Sequence, residues 1–125
     1  MVLGLGIDII EIERIKKSID EYGSHFLNKV YTEAEINYCN SKFSKYQHFA
    51  ARFAAKEAVY KAIASTWKDG LRWKDIEIEN EPTGMPIVKR SGKLQNFLSE
   101  NRDLRISISH SDNYVTCVAI IFNTR

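Results

Sequence analysis

Residues 52–64, R-F-A-A-K-E-A-V-Y-K-A-I-A, leave this chain the fewest choices. The segment is rich in alanine and free of glycine and proline, so its local preference is helical. At about 100° per residue, Glu57 and Lys61 fall one turn apart on one face. Ala50, Phe53, Ala54, Tyr60 and Ala64 surround that face, and Ala51, Ala55, Val59, Ala62 and Ile63 take the opposite side. A helix apolar on both sides is expected to be largely buried. A charge within it then needs an opposite charge, a metal or a ligand phosphate. The plainer alternative is a surface Glu–Lys pair worth a few tenths of a kcal/mol.

Length and composition narrow the classes. A chain of 125 residues suits one domain, 1–125, with one core. With 44% hydrophobic and 27% charged residues, the composition is that of an ordinary soluble protein. A formal charge of +2 is too small to argue for nucleic acid, and no zinc-finger spacing, RNP-like aromatic motif or long basic run adds to it. Cys39 and Cys117 form no C-x-x-C and read as small apolar residues in a reducing compartment. Neither a signal peptide nor a run of roughly 18 apolar residues is visible, so the expectation is a cytoplasmic chain without a membrane partner.

Residues 2–10 read as a strand. Leu3, Leu5, Ile7 and Ile9 alternate on the face expected to enter the core, and Gly4, Gly6 and Asp8 share the other. Glycines within a strand occur where another backbone or a ligand comes close. Asp8 beside them is either a functional carboxylate or a strand-end residue capping the next helix. Residues 11–20 suggest a short helix buried through Ile12, Ile15 and Ile19, with Arg14, Lys16 and Lys17 on its outer sides. Those cations form a solvated face or greet an acidic partner. Phe26, Leu27, Val30 and Tyr31 form a satellite of the core.

Thr32-Glu33-Ala34-Glu35 is a capping box that starts a short helix to about Cys39. The central helix is expected over 46–66, closed by the Asp69-Gly70 turn. Two short strands follow, 76–79 and 87–88, around a turn with Pro82, Gly84 and Pro86. Gly84 either reverses a hairpin or brings backbone close to a ligand ring or phosphate. Residues 92–100 read as a helix with Leu94, Phe97 and Leu98 inward. Residues 104–110 alternate and pair through Ser111-Asp112-Asn113 with the apolar run 114–122 as a hairpin. His110 ends that strand, as a core-edge histidine or a functional one.

Asp8, Glu57, Lys61 and His110 are polar positions set in apolar surroundings on separate elements. Two carboxylates without a Cys–His cluster suit a hard cation that keeps waters and substrate phosphates, which describes Mg²⁺ rather than zinc. Lys61 would offset phosphate charge, and His110 would donate to a phosphate oxygen or move a proton. The chemistry implied is phosphoryl-type transfer at Mg²⁺. The same groups would serve a Mg²⁺-dependent phosphoesterase acting on a small nucleotide. A third reading is a non-catalytic module docking an acidic helix through Arg14, Lys16 and Lys17.

Three ordered motifs then resemble a known family. Residues 6–15, G-I-D-I-I-E-I-E-R-I, resemble the opening signature of holo-acyl-carrier-protein synthases, the small phosphopantetheinyl transferases. Residues 52–62, R-F-A-A-K-E-A-V-Y-K-A, are similar to the second signature, and residues 106–111, I-S-I-S-H-S, to the third. The resemblance implies transfer of the 4′-phosphopantetheine arm of coenzyme A to a serine of apo-acyl carrier protein. It implies Mg²⁺ on Asp8 and Glu57, Lys61 on the reacting phosphate, and His110 with Ser111 at the diphosphate from across a subunit boundary. Arg52 and the turn Thr83-Gly84-Met85-Pro86 would hold the adenine and 3′-phosphate end. Arg14 and Lys17 would meet the acidic carrier helix. The proton acceptor is a Mg²⁺-bound water or Glu57.

The fold implied is α+β, a compact antiparallel sheet wrapped around a long central helix. One half-site per chain is completed in a homotrimer. The chain departs from the family pattern at Ala64, where glycine is frequent, and at Met85, where Lys or Arg is usual. Residues 67–73 also differ from the usual glycine-rich turn.

Overall fold

A computed structural model describes residues 1–64, 70–99 and 101–124. The order is β1 (Val2–Glu11), α1 (Ile12–Tyr22), α2 (Ser24–Val30), α3 (Glu33–Asn40), α4 (Lys45–Ala64), a 3₁₀ turn (Trp73–Asp75), β2 (Ile78–Asn80), β3 (Pro86–Val88), α5 (Gly92–Leu98), β4 (Arg102–His110) and β5 (Tyr114–Asn123). β1, β5 and β4 form an antiparallel sheet in that order, and β2 pairs with β3 in a second, two-stranded one. The 20-residue α4 packs along β1 and β5 and carries ten buried residues. This is the α+β arrangement around a central helix that the motifs implied. The expected end of α4 beyond Ala64 and the first part of segment 67–73 lie outside the described residues.

The β4–β5 hairpin follows its alternation. Val115, Cys117, Ala119 and Ile121 are buried, and Ile106 and Ile108 pack on the same side. Both thiols are free, and burial pushes each up to about 12. The capping box is formed in both directions: Glu35 N donates to Thr32 Oγ1 at 3.2 Å, and Thr32 N donates to Glu35 Oε1 at 2.9 Å. Helix α2 was not foreseen, because residues 24–30 are too short to display a period.

β1 is turned over relative to expectation. Leu5, Ile7 and Ile9 are 63–65% exposed, Leu3 is half-buried, and Ile10 is the strand residue in the core. The inward face is the one with Gly4 and Gly6. A Cβ at Gly4 would collide with the Ala62 carbonyl oxygen, and one at Gly6 with that of Ala58. The glycines therefore let β1 lie directly on the backbone of α4, and the bulky residues are left on the outer face of the sheet. Their cross-strand partners on β5, Ile120 and Val118, extend that apolar row.

Candidate active site

The charges on α4 are sorted differently from the sequence reading. Lys61 is half exposed, and its Nζ lies 3.2 Å from Asp8 Oδ1 and donates to the Ile7 carbonyl at 3.1 Å. Glu57 is half-buried. The fully buried charges on this helix are Arg52 and Lys56. Lys56 shares a helix face with the apolar Val59 and Ile63 and with Arg52 one turn earlier, at spacings of three and four, which is the signal that could have found it. Its Nζ pairs with Glu35 Oε1 at 2.7 Å and donates to the carbonyls of Trp73, at 3.0 Å, and Ile76. Burial draws the Lys56 ammonium below its usual value, against the opposing pull of Glu35.

Gly6 and the close β1–α4 approach bring Asp8 alongside Glu57 and Lys61. Burial pushes the Glu57 carboxyl up, nearby Asp8 raises it further, and Lys61 works against both. Two oxygen donors that repel one another in this way suit a hard divalent cation. Among the described residues there is no group of three or more His, Cys, Asp and Glu placed to hold a metal, so a cation here would rely on these two carboxylates, waters and substrate. Asp8 and Glu57 line a cleft of about 350 Å³ with Arg14, Ile15, Phe26 and Phe53. Lys17 is exposed one turn beyond Arg14 on α1. On its other side Glu57 borders a second groove of about 440 Å³ with Tyr60, Leu71, Trp73 and Ile76.

Arg52 belongs to another cluster. Its Nη2 donates to Asn80 Oδ1 at 2.8 Å, and Asn80 Nδ2 donates to the Gly84 carbonyl at 2.9 Å. Arg52 is thereby tied to the turn of Thr83, Gly84, Met85 and Pro86, where Gly84 takes φ 92°. Its Nε has no partner among the described residues although the side chain is buried. The guanidinium lies 4.3 Å from the Tyr38 ring centroid, and Lys42 Nζ lies 4.9 Å from the same ring. Burial, and then Arg52, Lys42 and His110, hold the neighbouring His48 imidazole below its usual value. His110 Nδ1 lies 2.5 Å from the Gln47 side-chain nitrogen, and His110 and Ser111 line a cleft of about 390 Å³ with Phe43 to Gln47. The exposed side chain of Met85 brings no charge to this group.

Within one chain, then, Asp8, Glu57, Lys61 and Arg14 gather at one cleft. Arg52 and its turn form a second cluster with Tyr38, Lys42 and His48, next to the His110–Ser111 cleft. Asp8 on β1 beside Glu57 and Lys61 on the helix that the sheet covers suits a phosphate-handling transferase, and residues 4–119 match the model of the 4′-phosphopantetheinyl transferase superfamily. The chain is 43% identical over 123 residues to the holo-[acyl-carrier-protein] synthase of Koribacter versatilis, covering 97% of this chain and 98% of the relative. It is 46% identical over 120 residues to that of Protochlamydia amoebophila, covering 96% and 98%. The crystal structure of the Bacillus anthracis synthase in complex with CoA (3′,5′-ADP) superposes with a TM-score of 0.78 at 31% identity, covering 100% of this chain and 99% of that one. The chain belongs to the holo-[acyl-carrier-protein] synthase family of transferases.

Proposed function

We propose that this chain is a single transferase domain that moves the 4′-phosphopantetheine arm of coenzyme A onto a serine of an apo-acyl carrier protein in the cytoplasm. The observation that supports it most is the meeting of Asp8, Glu57 and Lys61 at the mouth of a cleft between α1 and α4. In the reaction the serine Oγ forms a bond to the phosphorus bearing the pantetheine arm. The bond from that phosphorus to the bridging oxygen breaks, and adenosine 3′,5′-bisphosphate leaves. Asp8 and Glu57 are the residues that would hold Mg²⁺. When bound, it supplies positive charge to the diphosphate as negative charge develops on the leaving oxygen.

The chain's own groups do the rest. Lys61 is half exposed on a long flexible stem, so it can leave Asp8 for a phosphate oxygen. Glu57, at the edge of the cleft, or a water beside it would receive the serine proton. The apolar groove beyond Glu57, walled by Tyr60, Leu71, Trp73 and Ile76, matches the pantetheine arm in character. Arg52, with its free Nε, and the turn of Thr83, Gly84 and Pro86 would take the adenine and 3′-phosphate end. Arg14 and Lys17, beside Ile15 and Phe26, would receive an acidic carrier helix through charge at the rim and apolar contact in the cleft.

Two half-sites in one chain favour an assembly in which His110 and Ser111 of one copy face Asp8 and Glu57 of the next. The apolar row Leu5, Ile7, Ile9 and Ile120 supplies a face for that contact, and we assign the assembly as a homotrimer. The deciding experiment incubates the protein with Mg²⁺, coenzyme A and apo-acyl carrier proteins, followed by intact mass measurement of the carrier. The expected result is one phosphopantetheine adduct per carrier, which does not form when a chelator is present from the start. An unmodified mass on every carrier tested would remove the proposal. Release of adenosine 3′,5′-bisphosphate without a carrier would favour a phosphoesterase instead.

A further inference from the structure

The buried Glu35–Lys56 pair has no part in the chemistry above, yet it joins more elements than any other polar contact described. Both side chains are fully buried. Lys56 Nζ binds Glu35 Oε1 and the carbonyls of Trp73 and Ile76. Glu35 Oε1 also accepts from Thr32 N, and its Oε2 accepts from Ile78 N at 2.9 Å. One ion pair thus fastens the start of α3, the middle of α4, the 3₁₀ turn and the first residue of β2. Replacing such a pair by apolar residues is often neutral or stabilising, so stability alone is a poor reason for it. Geometric definition is a better one, because a charge pair with both carboxylate oxygens and all three ammonium donors engaged accepts few alternative arrangements.

What it defines is the wall beside Glu57. The carbonyls of Trp73 and Ile76 are the ones Lys56 holds, and their side chains line the groove that Glu57 and Tyr60 also border. Trp73 is further held by Phe53, ring centroids 4.9 Å apart. Segment 71–76 has no strand pairing of its own, since β2 begins at Ile78 and pairs with β3. Its place against α4 is set by these contacts together with the burial of Ile76 and the packing of the 3₁₀ turn against α2 and α5.

We propose that Glu35 and Lys56 are positioning residues for the donor groove: with Lys56 part of the groove wall and its Nζ turned to Glu35 and the backbone, they clamp segment 72–78 against α4, and so set the affinity for the pantetheine arm of coenzyme A. This rests on the assignment of that groove to the donor. It is tested with Glu35→Gln, whose single amide oxygen can keep only one of the two backbone hydrogen bonds, and with the double variant Glu35→Gln/Lys56→Met, which removes both charges. Three measurements are made on each: thermal unfolding, amide hydrogen exchange over 72–78, and KM for coenzyme A against kcat.

The double variant is expected to melt cooperatively near the starting protein, whereas Glu35→Gln alone, which leaves Lys56 buried without its counter-charge, melts lower; in both, exchange over 72–78 is faster by about tenfold. KM for coenzyme A rises about tenfold while kcat changes less than about twofold, the split expected when binding common to ground and transition states is lost. Unchanged exchange over 72–78 would overturn the clamp. Faster exchange with an unchanged KM would overturn its link to the donor. A merely structural pair would lower the melt with kcat and KM both unmoved. If the unaltered protein bound coenzyme A calorimetrically but modified no carrier, the proposed function would fail. The variants' calorimetric affinity would then replace KM in judging the clamp.

Discussion

Glu57 lies where two requirements conflict. Burial and Asp8 raise its carboxyl above the ordinary value of 4.5, so the folded protein holds that proton more tightly than the unfolded chain does. Its contribution to stability is complete in acid below that value and is lost as pH rises through the folded value. At neutral pH the ionised group therefore weighs against folding unless a cation sits between it and Asp8. Glu57→Gln is neutral at all pH values and should melt about 1–2 °C higher than the unaltered protein at pH 7 in chelator, solvent screening keeping the gain small. The difference should vanish below about pH 4. Mg²⁺ should raise the melt of the unaltered protein and leave that of the variant in place. Turnover of the variant should fall on the order of 10²–10³-fold, as when a group that stabilises transition-state charge is removed. Differential scanning calorimetry with and without Mg²⁺, at pH 4 and pH 7, reads the first three outcomes. A variant less stable than its parent in chelator at pH 7 would contradict the account.

At the scale of elements, β1 on α4 decides where the carboxylates meet. Gly6→Ala places a methyl group against the Ala58 carbonyl, a backbone atom that cannot turn aside. The strand must then lift and take Asp8 away from Glu57. Urea unfolding should show a loss of about 2–3 kcal/mol, and activity should fall even where the variant is folded. Leu5→Ser, on the outer face of the same strand, should cost the isolated chain no more than about 0.5 kcal/mol, any larger loss being concentration-dependent because it reports the contact between copies. The contrast explains what could be read from residues and what could not. Period-two alternation divides β1 correctly into two faces, and the capping box at Thr32–Glu35 and the β4–β5 hairpin follow from equally local rules. Which face of β1 turns inward is a tertiary matter. The apolar face loses to the glycine face because α4, lined with Ala58 and Ala62, admits a bare backbone and little else. The pairing of Lys56 with Glu35 is hidden for the same reason: the two residues are 21 positions apart, and each alone reads as an ordinary helix charge.

At the scale of the whole molecule, the separation of Asp8, Glu57 and Lys61 from His110 and Ser111 into different clefts makes a claim about copies of the chain. If the proposed homotrimer forms, each site joins Glu57 of one protomer to His110 of its neighbour. Trimers built from Glu57→Gln chains or from His110→Ala chains alone then contain no intact site. In a mixed trimer a site is intact when a His110→Ala chain supplies Glu57 and a Glu57→Gln chain supplies His110. With equal amounts distributed at random, each requirement is met half the time, so about a quarter of sites should be restored. Co-expressing the two inactive variants and assaying carrier modification should recover roughly that fraction of the parental rate. Replacing Ile7, 63% exposed in the apolar row, by Asp should abolish the recovery and reduce the sedimenting species to a single chain. If each protomer held its whole site, mixing would restore nothing, since every chain would lack one of its own groups. Recovery on mixing that is lost with Ile7→Asp therefore separates a shared site from two independent halves, and ties the sharing to the outer face of β1.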